Sequence, residues 1–257
     1  MNKITLLPEE VANKIAAGEV IERPASIVKE LVENSIDSGA KQIKIEIHNA
    51  GIDEIKVTDD GYGITEEDLP LSIIRHGTSK ILKLSDLSNI NSLGFRGEAL
   101  SSIAAISELK IITRPPNQSF GFSLTVRGGS LIVPVERCAN NEGSIFHVKN
   151  LFFNTPARKK FLKSSRVTKN SILKVLYSFI LTRADIKFQF SFDDDRPVIF
   201  DLIENNEDPR LARCRQLLSF QNKSASGMKL ESTQFHHQQH DFKLYISTKS
   251  VRSASRN

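Results

Sequence analysis

In the stretch IVKELVENSIDSGA, Glu30, Asn34 and Asp37 recur at i, i+4 and i+7. On a helix that spacing stacks a carboxylate, an amide and a second carboxylate in one line. The amide oxygen of Asn34 is a hard ligand of the kind Mg²⁺ accepts while keeping several waters. Glu30, one turn away, can polarise a water for attack on a terminal phosphate. The same line also reads as an ordinary solvated helix face, and residue type alone leaves both readings open.

Two further stretches narrow the choice. Asp59-Asp60-Gly61-Tyr62-Gly63 is an acidic strand end followed by glycines that permit close backbone approach. Asp59 can accept a hydrogen bond from an adenine amino group, which selects adenine over guanine. SLGFRGEAL sets Gly94 and Gly97 just ahead of an expected helix, where free N–H groups attract phosphate. Phe95-Arg96-Gly97 can wrap phosphates with backbone N–H groups and close as a lid. Taken singly, DxGxG is a common turn and GFRG a plain helix start. Their co-occurrence in this order suits a nucleotide, and the absence of GxxxxGK[ST] excludes a Walker-type phosphate loop.

Helices and hairpins must hold these residues in place. Pro24 to Ser38 starts on proline, stops at Gly39, and buries Ile27, Val28, Leu31, Val32 and Ile36. Residues 42–61 alternate as a β-hairpin turning at Asn49-Ala50-Gly51. Short helices are expected over Pro8–Ala17, with Gly18 as a stop, over Glu66–Arg75 and over Glu98–Ile106, with a polar connector from Lys80 to Asn91. Strands are expected at Leu109–Thr113, Phe122–Val126, Leu131–Val135 and Ser144–Val148, with a Gly128-Gly129 turn. A helix over 166–183 and a hairpin around Asp193-Asp194-Asp195 follow. The absence of βαβ alternation argues against a Rossmann fold. The expected class is α+β, a two-layer sandwich of helices on a mixed, largely antiparallel sheet. ENNEDP, from Glu204 to Pro209, marks an expected boundary between a domain over 1–205 and the incomplete start of a second over 206–257.

Composition agrees with a globular chain. Of 257 residues, 39% are hydrophobic and 25% charged, which argues against bulk disorder. A net charge of +5 permits nucleic-acid binding without requiring it. Cys138 and Cys214 stand far apart and read as free thiols of a reducing cytosol. Glu9 and Glu10 interrupt any signal-peptide core, and no apolar run approaches the ~20 residues that cross a bilayer. The expectation is a cytoplasmic protein.

GEVIERPASIVKELVENSIDSGA, DDGYGI, RHGTSKI, LGFRGEALSSIAAIS and NTPARKKFL closely resemble the MutL family of DNA mismatch repair proteins. That family belongs to the GHKL (Bergerat-type) ATPases, with type II topoisomerase B subunits, the ninety-kilodalton heat-shock chaperone and sensor histidine kinases. The resemblance implies a weak ATPase with ATP and Mg²⁺ as cofactors. Glu30 matches the general base and Asn34 the metal ligand, with Asp37 beside it. Asp59 matches the adenine-reading carboxylate, and Gly61 and Gly63 lie beside the base. Thr78, Ser79 and Lys80, with Leu93, Gly94, Phe95, Arg96 and Gly97, match segments that wrap the phosphates. Ser144 stands where the family usually has threonine near the adenine. Asp60 replaces a usual asparagine, adding charge near the nucleotide, and Gly77 replaces a usual alanine, loosening the lid.

As partners, the resemblance implies DNA, mismatch-recognition and strand-incision proteins, and a homodimer whose N-terminal domains close on ATP. It places a second, ribosomal S5-like domain after the first, and puts the phosphate-sensing lysine and the dimerisation domain beyond residue 257. The ATP switches conformation in a matchmaker that couples mismatch recognition to strand incision or excision. The alternative is a nucleotide- and DNA-binding scaffold that does not hydrolyse ATP. A topoisomerase-type fragment is set aside by GFRGEAL and NTPAR.

The densest basic run, Asn154 to Lys163, reads first as a solvated loop and helix start. The resemblance shifts Lys159, Lys160, Lys163 and Arg166 toward salt-dependent, sequence-independent contacts with the DNA backbone. His236, His237 and His240 have no partner cluster that would complete a metal site and read as surface residues. Phe152, Phe153, Phe179, Phe188, Phe190 and Phe192 are core candidates.

Overall fold

The computed structural model describes residues 5, 6, 8, 17–80, 92–94, 97–203 and 208–221, with the backbone alone at 221, 230–237 and 240–247. The chain divides into two compact units. The first comprises Met1–Leu176 with Phe188–Ile199, the second Tyr177–Lys187 with Phe200–Asn257.

The first unit is built around helix α1 (Pro24–Asp37) and the hairpin that follows it. Proline opens α1 without losing a needed N–H, and Ile27, Val28, Leu31, Val32 and Ile36 are buried as their spacing requires. Strands β1 (Gln42–His48) and β2 (Glu54–Asp59) pair antiparallel, Ile45 opposite Val57, and alternate buried with half-buried positions. Their turn takes left-handed backbone at Asn49, Ala50 and Gly51. Helix α2 spans only Asp68–Leu71. It falls short of the expected Glu66–Arg75 because Leu69 is its only buried residue and Leu71 and Ile74 point to solvent, so nothing holds a longer helix down.

After α3 (Ala99–Ile106) come β3 (Glu108–Arg114), β4 (Gly121–Arg127), β5 (Ser130–Cys138) and β6 (Gly143–Lys149). Helix α4 (Pro156–Phe161), helix α5 (Ser165–Thr182), β7 (Lys187–Phe192) and β8 (Val198–Phe200) complete the order up to residue 200. The sheet runs β5-β4-β3-β6-β2-β1-β7-β8. It is antiparallel at β1–β2, β2–β6, β6–β3, β3–β4 and β4–β5. Helix α1 packs on β2, and α3 packs on β3 and β4. The fold is thus α+β, helices layered on a mixed, largely antiparallel sheet.

Two further expectations change. Residues 9–16 lie outside the described residues, but 17–20 are helical, so Gly18 does not end a helix there. It is small for another reason: a Cβ at Gly18 would lie 1.4 Å from the Arg158 guanidinium. Phe153 is not core. Phe152 is fully buried, whereas Phe153 is 39% exposed with the Arg127 guanidinium 4.9 Å above its ring. The other four phenylalanines are buried. The connector over Lys80–Asn91 lies outside the described residues except for Lys80.

In the second unit, helix α6 (Pro209–Gln221) buries Leu211, Leu217 and the whole of Arg213. Arg213 donates to the carbonyls of Ile186 (2.7 Å) and Ala184 (3.3 Å) and to Gln216 Oε1 (3.0 Å). Burial lowers its affinity for the proton. These acceptors serve Nη1 and Nη2, while the buried Nε finds none among the described residues. Strands β9 (Leu230–His237) and β10 (His240–Ser247) form a separate antiparallel pair in which His237 faces His240.

Candidate nucleotide site

One end of the site is built on Asp59, the last residue of β2. Strand register sets Asp59 opposite Ser144 on β6, and Ser144 opposite Thr113 on β3. All three side chains are buried. Asp59 accepts from Ser35 Oγ at 2.8 Å, from the Gly61 amide at 3.0 Å and from the Ser144 amide at 3.3 Å. Thr113 Oγ1 accepts the Ile64 amide at 2.8 Å, donates to the Gly143 carbonyl at 3.2 Å and lies 3.0 Å from Ser144 Oγ.

Burial raises the Asp59 carboxyl above its ordinary range, against the pull of those donors toward the ionised form. A carboxylate offers about four lone-pair sites. With donors from Ser35, Gly61 and Ser144 in place, about one acceptor position is left without a donor among the described residues. That fits an exocyclic amino group. The backbone packs too closely here for any side chain: a Cβ on Gly143 (φ +107) would lie 2.0 Å from the Asp59 carbonyl, and one on Gly63 (φ +67) 2.7 Å from the Arg114 carbonyl.

Ser35 and Thr113 were missed by sequence reasoning, although a signal existed. Ser35 lies at i+7 from Val28 and i+4 from Leu31, so it interrupts the buried stripe of α1 with a hydroxyl. Thr113 likewise takes a buried position in the alternation of β3.

Asp60 does not face this end. Its Oδ1 accepts the amides of Lys41 (2.7 Å) and Gln42 (2.8 Å), closing the turn between α1 and β1. An asparagine oxygen would accept those two amides equally, but the negative charge of Asp60 still acts on its neighbour, helping to raise the Asp59 carboxyl.

The other end gathers around Asp37. Its carboxylate accepts from Lys80 Nζ at 2.5 Å and from the amides of Leu93 at 3.0 Å and Gly94 at 3.4 Å. Lys80 Nζ also donates to Asn34 Oδ1 at 3.2 Å. Thr78 Oγ1 accepts the Lys80 amide at 3.1 Å, and Ser79 is exposed. Gly97 (φ +62) is locked to the same segment: its carbonyl accepts the His76 amide at 2.9 Å, and a Cβ would meet the Gly77 carbonyl at 2.6 Å. Gly77 itself is tight, since a Cβ there would lie 2.3 Å from the Leu71 carbonyl. Glycine at 77 thus makes a close approach possible rather than slackening the loop. Phe95 and Arg96 lie outside the described residues.

Glu30 keeps about a quarter of its side chain exposed, 3.5 Å from Lys29 Nζ. Helix α1 joins the two ends, because Ser35 holds Asp59 while its neighbour Asn34 holds Lys80. A cavity of about 400 Å³ beside Phe120, Arg137 and Cys138 belongs to edge strand β5, which three strands separate from β2, and has no part in this site. Lys159, Lys160, Lys163 and Arg166 are all exposed on or after α4, and Phe161 among them is 87% exposed.

The profile of the family described as histidine kinase-, DNA gyrase B- and HSP90-like ATPase matches residues 22–127, which carry both ends of this site up to β4. The chain is 52% identical over 193 residues to the DNA mismatch repair protein MutL of Caldanaerobacter subterraneus subsp. tengcongensis, covering 75% of this chain and 32% of that protein. The chain belongs to the MutL family. MutL of Endomicrobium trichonymphae is 47% identical over 209 residues, 81% of this chain and 35% of its own length. Among solved structures, the Aquifex aeolicus MutL ATPase domain complexed with ADP superposes with a TM-score of 0.70 at 26% identity, covering 91% of this chain and 80% of that one. The chain therefore holds a MutL-type ATPase region and spans about a third of the length of the curated MutL relatives it matches. No helix among the described residues is long and apolar enough to cross a membrane.

Proposed function

We propose that this chain binds ATP with Mg²⁺, hydrolyses it slowly, and acts in the cytoplasm as an ATP-switched matchmaker coupling mismatch recognition to strand incision or excision. The observation that carries the reading is the single acceptor left on buried Asp59, tied through Ser35 and Asn34 of one helix to the Asp37–Lys80 end. Asp59 takes an N–H of the adenine amino group there. Its three chain donors fix the carboxylate in orientation, so the base is read without rearrangement. Ser144 and Thr113 hold the strand ends that frame it.

At the other end, the Leu93, Gly94 and Gly97 segment and the Thr78–Lys80 segment lie around the phosphates. Asn34 Oδ1 would hold the metal, which when bound supplies charge neutralisation on the phosphate oxygens. Glu30 orients and deprotonates the attacking water. Lys159, Lys160, Lys163 and Arg166 contact DNA phosphates without reading sequence. The region over 1–205 acts as the ATPase domain, and 206–257 begins an S5-like domain. The whole protein is a homodimer whose N-terminal domains meet when ATP is bound.

Glu30→Ala tests the reading. It should abolish phosphate release while a non-hydrolysable ATP analogue still binds by calorimetry. Turnover that survives the substitution rejects Glu30 as the base. Analogue binding without turnover in the unsubstituted chain would instead favour a non-hydrolysing nucleotide- and DNA-binding scaffold.

A further inference from the structure

Lys80 occupies a place that a metal ligand would keep for a metal. Its ammonium lies 3.2 Å from Asn34 Oδ1 and 2.5 Å from Asp37 Oδ2, with only 24% of the side chain exposed. The position is held from behind, because the Lys80 amide donates to Thr78 Oγ1 at 3.1 Å. Asp37 is held in turn by the amides of Leu93 and Gly94. An ammonium is a compact point charge with donors only, and Asn34 Oδ1 is an acceptor only. Two cations at one amide oxygen repel at short range in a partly desolvated site.

We infer that Lys80 is a tethered cation that competes with divalent metal for Asn34 Oδ1, and so makes the site selective for metal carried on a nucleotide over free metal. A polyphosphate brings its own acceptor oxygens. The ammonium can pass from Asn34 to a phosphate oxygen only when such an oxygen is present, and that transfer frees the amide. Free metal offers Lys80 no acceptor, so the ammonium stays and the metal is excluded. Lys80 is then a positioning residue that links metal loading to nucleotide loading. The inference rests on Asn34 being the metal ligand.

The test is Mn²⁺ binding to the full chain without nucleotide, read by electron paramagnetic resonance. Lys80→Met should bind Mn²⁺ at least tenfold more tightly than the unsubstituted chain. Lys80→Arg, which keeps the charge, should bind it as weakly as the unsubstituted chain, and circular dichroism checks that both variants fold. The gain should vanish in the double variant Asn34→Ala/Lys80→Met. Equal Mn²⁺ affinity in Lys80→Met and the unsubstituted chain, or a gain in Lys80→Arg as large as in Lys80→Met, overturns the inference. Mg²⁺-dependent analogue binding by Asn34→Ala, measured alongside, separates the two failures: if Asn34→Ala loses it, Asn34 remains the ligand and only the role of Lys80 falls. If binding is unchanged, both fall.

Discussion

Asp59 and Asp37 are two carboxylates of one site, held in opposite ways. Asp59 is buried and bonded to a serine hydroxyl and two backbone amides, none of which carries charge. Asp37 lies at the more open end and is neutralised by a lysine on another segment. Neutral donors fixed by strand register and a helix cannot leave without breaking the fold. A lysine on a flexible stem can change partner at little cost. On the proposed reading, the contrast separates a rigid end that would select the base from an end whose bonds could be exchanged as phosphate arrives.

The largest expected effect attacks the rigid end. Gly143→Ala would force a Cβ against the Asp59 carbonyl from a left-handed backbone, and unfolding in urea should show a loss of about 3 kcal/mol. If stability is unchanged, the close approach at β6 is not required. Asp59→Asn keeps the shape and can leave its oxygen facing the Gly61 and Ser144 amides, but it turns the oxygen beside Ser35 into a donor, so no acceptor is left for an amino group. Calorimetry should show nucleotide affinity falling by at least tenfold, the equivalent of about 1.4 kcal/mol.

The contrast also predicts a pH dependence. The Asp59 carboxyl is raised, so the folded chain binds its proton more readily than the unfolded chain does. As pH rises through that raised value, ionised Asp59 detracts from stability, while its acceptor for the adenine amino group appears. Nucleotide affinity should therefore fall on acidification at a pH above the ordinary aspartate range, and Asp59→Asn should remove that step. An unchanged pH profile in Asp59→Asn would assign the step to another group.

Thr113→Val sharpens the comparison further. It strips the hydroxyl that serves the Ile64 amide and the Gly143 carbonyl. Thermal unfolding should report about 1–2 kcal/mol lost, with a smaller drop in affinity than Asp59→Asn gives. Least of all should come Asp60→Asn. Its oxygen still caps the Lys41 and Gln42 amides, so stability should stay within about 0.5 kcal/mol, and nucleotide affinity should move less than in any other variant, through the lost charge beside Asp59 alone.

Much of this architecture can be read from the chain, because periodicity carries it. The alternation of Ile43, Ile45 and Ile47 with Ile55 and Val57 specifies the β1–β2 hairpin, and the apolar stripe of α1 specifies its buried face. What periodicity does not carry is direction. Nothing local tells that Asp59 turns inward while Asp60 caps a turn, since both follow from where strand register ends. Ser35 is hidden for the same reason: its partner is 24 residues away. Phe152 and Phe153 are identical in type, and only the turn after β6 decides which is buried. Helix α2 is short because burial failed where propensity did not.

Arg158 fills the hollow above Gly18, and that has a mechanical consequence. The helical turn over 17–20 cannot slide past the NTPAR segment without displacing a guanidinium one residue before Lys159. An added methyl group at position 18 would turn that guanidinium out of the hollow, a change that the flexible arginine stem absorbs while both backbone segments stay in place.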